Sequence, residues 1–319
     1  MLKFFLKKIL AMIPMALVIS FLIYLGLELT PGDAVSYMIP PDQLANVSPE
    51  KLEAIRELYG LNDPFIVRYF RWLLQMLQGN FGFSLTNGVP IKKILLETYP
   101  ATLELSVAAL LISTLLGSFL GIISAIRRGS IADNALTVAG MLGVSIPQFF
   151  LGMVSILVFA LQLKWLPIGG RMLPSQTDLI SLIRVLILPA LVLGVTLTAG
   201  VMRYSRSSML DTMNKDYIRT ARSKGLPEWR VNLIHGFRVA ITPVVVLIGF
   251  RLPMLIGGSV VIETIFQWPG IGNAFNMAVR GQNYPLVMMI ALFSVFAVLI
   301  ASLLVDILTA ALDPRVKLH

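Results

Sequence analysis

Few residues in this sequence could do covalent or metal chemistry, and their types exclude most of it. There is no cysteine, so disulfides, thiolate metal sites and a cysteine nucleophile are excluded together. Of the two histidines, His235 lies in a basic stretch and His319 is the last residue, so no histidine metal cluster is available and no metal site is expected. No GxxxxGK[ST] string occurs, and without it nothing cradles a nucleotide phosphate. No cofactor bound by this chain is expected, and any ATP and Mg would sit on another polypeptide.

Gly257-Gly258-Ser259 has the superficial form of an intramembrane serine nucleophile. Such a group needs a basic partner at membrane depth, and neither histidine is there, so an enzyme is not expected. What remains are charges in unusual places. Asp216 to Pro243 carries Arg219, Arg222, Lys224, Arg230 and Arg238 between two apolar runs. Leu210 to Lys224 reads as a short helix stopped by Gly225, since glycine enters the left-handed region just past a helix end without a Cβ penalty. Pro227 follows, where a helix can restart but not continue. The expected product is helix, forced turn and helix, all on one side of a membrane. Arg251 falls inside an apolar run; a charge there costs about 3 kcal/mol on insertion scales and must face a cavity or a partner. It is either functional or a structural charge satisfied by carbonyls between helices. Glu263 is twelve residues further on, about 18 Å along a straight helix, which excludes a direct pair within one helix. Gly257 and Gly258 allow close helix approach.

These residues need spans to position them, and the composition supplies spans. The 319 residues are 56% hydrophobic and 13% charged, with a mean hydropathy of +0.81; a soluble domain is about 25% charged. The net charge of +9 does not indicate nucleic acid, because the cations fall in short loops between apolar runs. Ile9 to Leu29 is 21 residues long, beyond the ~7–15 of a signal peptide core, and reads as a retained first span. Leu105 to Ile126, Ala135 to Leu163 (with Pro147 expected to break it), Val185 to Met202, Val239 to Ile262 and Pro285 to Val305 bring the count to six, each near the ~20 residues a bilayer requires. Between the first two, Pro31 to Pro100 carries two expected amphipathic helices, one from Ser48-Pro49-Glu50 to Gly60 and one from Asn62-Asp63-Pro64 to Gly79. They lie on the outer membrane face or pack on the spans. Lys164-Trp165-Leu166-Pro167 and Trp268-Pro269-Gly270 are expected to set aromatics at the interface. Fifteen of the 26 Lys and Arg fall on the side that holds both termini and the basic stretch, which makes that side cytoplasmic.

Several strings then carry a resemblance. Ala221, Gly225, His235 and Pro243 have the spacing of the cytoplasmic EAA loop of ABC importer permeases, with Arg219 for its Glu and Thr220 for its first Ala. Leu29 to Asp33 (LTPGD), Asn80 to Ser84 (NFGFS), Thr220 to Gly225 (TARSKG), Glu263 to Gly272 (ETIFQWPGIG) and Leu312 to Arg315 (LDPR) occur in order along the chain. Together they resemble the oligopeptide, dipeptide and nickel permeases, B-type subunit.

The resemblance implies an all-α, polytopic fold of six transmembrane helices, the type I importer permease, with cytoplasmic termini. Residues 1–100 would hold the first span and outer helical segment, 101–312 a five-helix core with coupling loop 203–238, and 313–319 a cytoplasmic tail. It further implies half of a heterodimeric pore in a prokaryotic inner or plasma membrane. The partners would be a second homologous permease, two ABC ATPase subunits, an extracytoplasmic substrate-binding protein and membrane lipid, with no nucleic acid. ATPase coupling would fall to Arg219, Thr220, Ala221, Arg222, Lys224, Gly225 and Leu226. The translocation path or subunit interface would take Arg251, Gly257, Gly258 and Glu263. Di- and oligopeptides are the expected cargo; nickel, glutathione and oligosaccharides are alternatives, though the chain offers no evident nickel ligands. A stand-alone secondary transporter would need internal repeats and mid-membrane acids. No repeat is evident, and Glu28, Glu104, Glu263 and Asp306 sit near span ends.

Overall fold

The computed structural model describes residues 2–30, 48–58, 61–171, 178–256 and 259–312. Among them every regular element is helical, and a single β-bridge joins Phe83 to Pro90. Helix α1 (Leu2–Glu28) is apolar almost throughout and is followed by α2 (Pro49–Leu58) and α3 (Phe65–Leu77). One face of α3 is aromatic and covers the second half of α1. Tyr24 meets Phe65, Tyr69 and Trp72 with ring centroids 5.3–5.7 Å apart, and Ser20 Oγ lies 2.8 Å from Tyr69 OH. The second outer helix therefore packs on a span.

Helix α4 (Ile91–Ile126) leads to α5 (Ile131–Ser145), whose N-cap Ser130 accepts a hydrogen bond from Asp133 N. Pro147 then breaks the run. Helix α6 (Gln148–Ser155) continues as a π-helix to Gln162, and the direction of the chain turns by 97° at the break. After α7 (Leu179–Met213) comes the short α8 (Asp216–Ser223). Helix α9 (Glu228–Arg230) passes through a π-helical stretch, Val231–Phe237, into α10 (Arg238–Ile256). Helices α11 (Val260–Ile265), α12 (Ile271–Arg280) and α13 (Tyr284–Leu312) complete the order. Proline is the N-cap of α3, α4, α6 and α9, where its missing N–H costs no helical bond.

Close approach of α4 and α7 fixes the topology. Gly194 rests on the Ala109 carbonyl and Ile112, Gly117 on Val201 and Thr198, and Gly121 on Met202 and Ser205. The contact advances along both helices together, so α4 and α7 run parallel. A Cβ on Gly117 or Gly121 would come within 2.6 Å of its neighbour, so only glycine lets these backbones meet. Parallel spans require the chain between them to return, and the bent α5–α6 pair does so. At one end Asp133 is tied to Arg206 of α7, and at the other Arg171 forks onto Glu104 of α4 at 2.9 and 2.6 Å. Counted as one crossing, the bent pair brings the apolar spans among the described residues to six.

Helix α10 runs antiparallel to α7, with Ser208 bonded to the Ala240 carbonyl and Arg251 to that of Leu197. Helix α13 runs antiparallel to α1, with Lys8 and Asp306 2.6 Å apart at one end and Ile23 and Tyr284 lining one cleft at the other. The start of α1, the α4–α5 turn, α8 and the end of α13 therefore share one end of the molecule. Helices α3, α11 and α12 lie at the other.

Two boundaries differ from the expected ones. The helix expected over Leu210 to Lys224 is interrupted: α7 runs through Met213, Lys215 is extended (ψ 150), and α8 starts afresh. The span expected to start at Val239 begins eleven residues earlier, as a continuous helix from Glu228. Spans drawn at the first charge stop short, because a helix continues into water once its charges can point outward.

Candidate functional site

Helix α8 and the turn after it present an exposed polar surface. Ile218 and Ala221, three apart on one face, are buried against Val231, Met213 and Leu226. Tyr217, Arg219, Thr220, Arg222 and Lys224 are exposed. Asp216 in the first turn and Arg222 in the last complement the helix dipole. Gly225 ends the segment at φ +74, its N–H donating to the Arg222 carbonyl at 2.9 Å, the left-handed cap that glycine adopts without strain. Arg222 spans the turn and forks onto Glu228, Nε to Oε1 at 2.9 Å and Nη2 to Oε2 at 3.3 Å. Trp229 is exposed, with the Arg230 guanidinium 5.5 Å from its ring centre. The seven coupling residues expected from the sequence thus come together in two roles. Ala221 and Leu226 face inward and hold the helix down, and Arg219, Thr220, Arg222, Lys224 and Gly225 form the presented surface.

The four residues expected along a path or interface do not form one site. Gly257 and Gly258 lie outside the described residues. Arg251 is half-buried on α10 and donates through Nη1 to the Leu197 carbonyl of α7 at 2.7 Å. Its guanidinium lies over Gly200, where a Cβ would stand 2.2 Å from Nη2.

Glu263 is not at the end of Arg251's helix; it belongs to the separate α11 and is fully buried. Its carboxylate accepts hydrogen bonds from Thr102 Oγ1 at 2.8 Å and from the Asn273 amide, in the first turn of α12, at 2.9 Å. Thr102 Oγ1 in turn accepts from the Ile271 amide at 2.8 Å. Burial pushes the Glu263 carboxyl above the usual carboxylate range, against the pull of the Asn273, Thr102 and Gly272 donors. A Cβ on Gly270 or Gly272 would run into this carboxylate, at 2.4 and 2.9 Å, which accounts for both glycines of the PGIG string. Trp268 corrects the expected interfacial aromatic: it is 0% exposed and donates Nε1–H to the Ala101 carbonyl at 2.7 Å. A buried indole needs such an acceptor, and the Ala101 carbonyl of α4 provides it.

Three groups of residues escaped sequence reasoning. Thr102 carries no local signal, since its role exists only once α4 and α12 meet. Buried Asn283 holds the loop after NFG, accepting from Leu85 N at 3.2 Å and donating to Ser84 Oγ at 2.8 Å. Asp133 is buried and takes both arms of Arg206 at 2.8 Å, the Gly129 amide at 2.9 Å and the Ser124 hydroxyl. Here a signal existed: Ser130 and Asp133 have the Ser-x-x-Asp spacing of a capping box, directly after Arg127-Arg128-Gly129.

The chain matches two family profiles, "Binding-protein-dependent transport system inner membrane component" over residues 117–318 and its N-terminal counterpart over residues 1–106. It is 38% identical to the oligopeptide transport system permease protein AppB of Bacillus subtilis (strain 168), covering 99% of this chain and 100% of that one. It is 35% identical to the glutathione transport system permease protein GsiC of Salmonella paratyphi A (strain ATCC 9150 / SARB42), covering 99% of each. Among solved structures it shares its fold with a chain of the MetNI methionine ABC transporter in inward-facing conformations (TM-score 0.57, 16% identity, 70% of this chain and 98% of that one). With matches running the length of the chain, six apolar crossings and a cationic helix presented at one end, it belongs to the binding-protein-dependent transport system inner membrane components, the multi-pass permeases of ABC importers.

Proposed function

We propose that this chain forms half of a heterodimeric pore for di- and oligopeptides in a prokaryotic inner membrane, driven by ATP hydrolysis on two separate ATPase subunits. The observation that carries this reading is α8. It is a short helix pinned by Ile218 and Ala221 with a cationic face left free, the shape of a handle for another protein and not of a catalytic site. The end bearing α8 would face the cytoplasm together with both termini, in keeping with the fifteen of 26 Lys and Arg assigned to that side. A second homologous permease would complete the pore, and a substrate-binding protein would deliver cargo at the α3–α12 end. ATP and Mg would be bound by the partners, none by this chain. Peptide as cargo is supported by the names of full-length relatives, oligopeptide and glutathione permeases.

In this mechanism closure of the ATPases drags α8 and the Gly225 turn, opening the pore to the side where the binding protein waits; hydrolysis and separation restore the opposite opening. Purification of the tagged chain from its native membrane in mild detergent tests the reading. Two ATPase polypeptides and a second permease should accompany it, and MgATP hydrolysis should rise with peptide-loaded binding protein. A chain that purifies alone, or hydrolysis indifferent to peptide, overturns it.

A further inference from the structure

Helix α7 carries two arginines three residues apart with opposite surroundings. Arg206 is paired, both arms on Asp133. Arg203 is exposed and, among the described residues, has no acid partner. Three residues before it, on the same face of the helix, is Gly200, on which the Arg251 guanidinium rests. Arg251 spends one N–H on the Leu197 carbonyl, and among the described residues no acid meets it either. Arg203, one turn beyond Gly200, puts a second positive charge on the same face of α7. A guanidinium has five N–H donors in a planar fork, so most of Arg251's capacity is unspent.

The place makes this unusual. Leu197 is 18 residues from the start of α7 and 16 from its end, about 27 Å and 24 Å along the axis, so the Arg251 guanidinium bonded to it lies deep along the span, and Arg203 follows about 9 Å nearer the α8 end. Charges there face water or an opposite charge. A fixed role would call for a fixed acid, as Arg206 and Arg171 each have. Gly200 keeps the space beside the fork clear, since any side chain would enter it.

We propose that Arg251 and Arg203, with Gly200 as floor, form a site on the α7–α10 face, between the middle of the span and the α8 end, for the carboxylate of the transported substrate. Guanidinium forks match carboxylates in two-point contacts, and every unblocked linear peptide brings a carboxylate. A transient anion relieves the repulsion of the two cations while it is present. The site rests on the peptide-importer reading for its cargo, but its charge and openness can be tested apart from it.

The assembled transporter, with its partner subunits and binding protein in proteoliposomes, provides the test. Because the chain has no cysteine, Arg203→Cys gives it a single thiol, whose modification is followed by the mass of this chain. A sulfonate-bearing methanethiosulfonate should react about tenfold faster than a trimethylammonium one beside Arg251, and Arg251→Gln should abolish the preference. Uptake of a dipeptide and of its C-terminal amide is then compared at saturating binding protein. Arg203→Gln should lower uptake of the acid about tenfold while leaving the amide unchanged, and Arg203→Lys should restore part of the loss. Binding-protein-stimulated MgATP hydrolysis confirms assembly of each variant. A thiol unreactive to both reagents in every nucleotide state means that lipid or the partner permease seals the groove, and it overturns the site. So does an equal loss of acid and amide uptake. A wild type that carries neither peptide, with a thiol still selective for the anionic reagent, sinks the peptide reading and leaves the carboxylate site standing.

Discussion

The two ends of this molecule are built on opposite rules. Around Glu263, the carboxylate, the Thr102 hydroxyl and the Trp268 indole are all buried and hydrogen-bonded to one another or to the backbone. They tie α4, α11 and α12 into one block. Around Gly225 two buried side chains, Ile218 and Ala221, hold an eight-residue helix whose polar groups point outward. A buried polar group left without a partner costs about 1–3 kcal/mol, so the Glu263 block resists change as a unit. An exposed ion pair contributes about 1 kcal/mol or less, so the Gly225 end can exchange its contacts for those of another protein. Rigidity is concentrated around Glu263 and availability around Gly225.

Substitutions should reproduce that division. Trp268→Ala should be the most damaging, about 3–5 kcal/mol from the cavity left by the indole and the loss of its bond to the Ala101 carbonyl, seen as a large fall in the thermal midpoint of the detergent-solubilised complex. Glu263→Gln should cost about 1–3 kcal/mol, because an amide cannot accept at both oxygen positions. It should also remove a pH dependence. A carboxyl raised in the folded state stabilises fully below its unfolded value of 4.5 and loses that contribution as pH rises through the folded value. The wild-type midpoint should therefore decline relative to the variant over that rise; a parallel course would mean that Glu263 is not raised. At the other end Gly225→Ala should cost only about 1–2 kcal/mol, the strain of a left-handed alanine, yet MgATP hydrolysis should lose its coupling to uptake. Normal uptake by Gly225→Trp would remove the turn from the coupling scheme. The smallest effect belongs to Arg222 and Glu228, 42% and 62% exposed. Their double-mutant cycle should give under about 1 kcal/mol, and a larger coupling would show that the turn is as rigid as the Glu263 block.

Much of this was legible in the residues. Spans show because some twenty apolar residues in a row have few other uses, and the Pro147 break and Gly225 cap show because proline and glycine act through their own backbone. The rest depends on which helices meet. Trp268 beside Pro269-Gly270 reads as an interfacial aromatic until α4 is seen to offer it a carbonyl. Glu263 reads as a span-end acid until α12 brings it the first amides of a new helix. That α4 and α7 run parallel, written in Gly117, Gly121 and Gly194, is visible only when the second helix is beside the first.

The helix that leaves the Gly225 turn has a mechanical consequence. From Glu228 to Leu255 it is one continuous helix of 28 residues, about 42 Å long, rising from the Gly225 turn to beside the Glu263 block through a π-helical foot and past Pro243 and Pro253. If an ATPase docks at α8 as proposed, this helix would work as a lever with its foot at the ATPase. A tilt of about 5° at its foot sweeps its far end through about 4 Å, more than the breadth of a water molecule. Small adjustments at the handle are thereby magnified at the level of Arg251 and beyond, with no need for the locked end to deform.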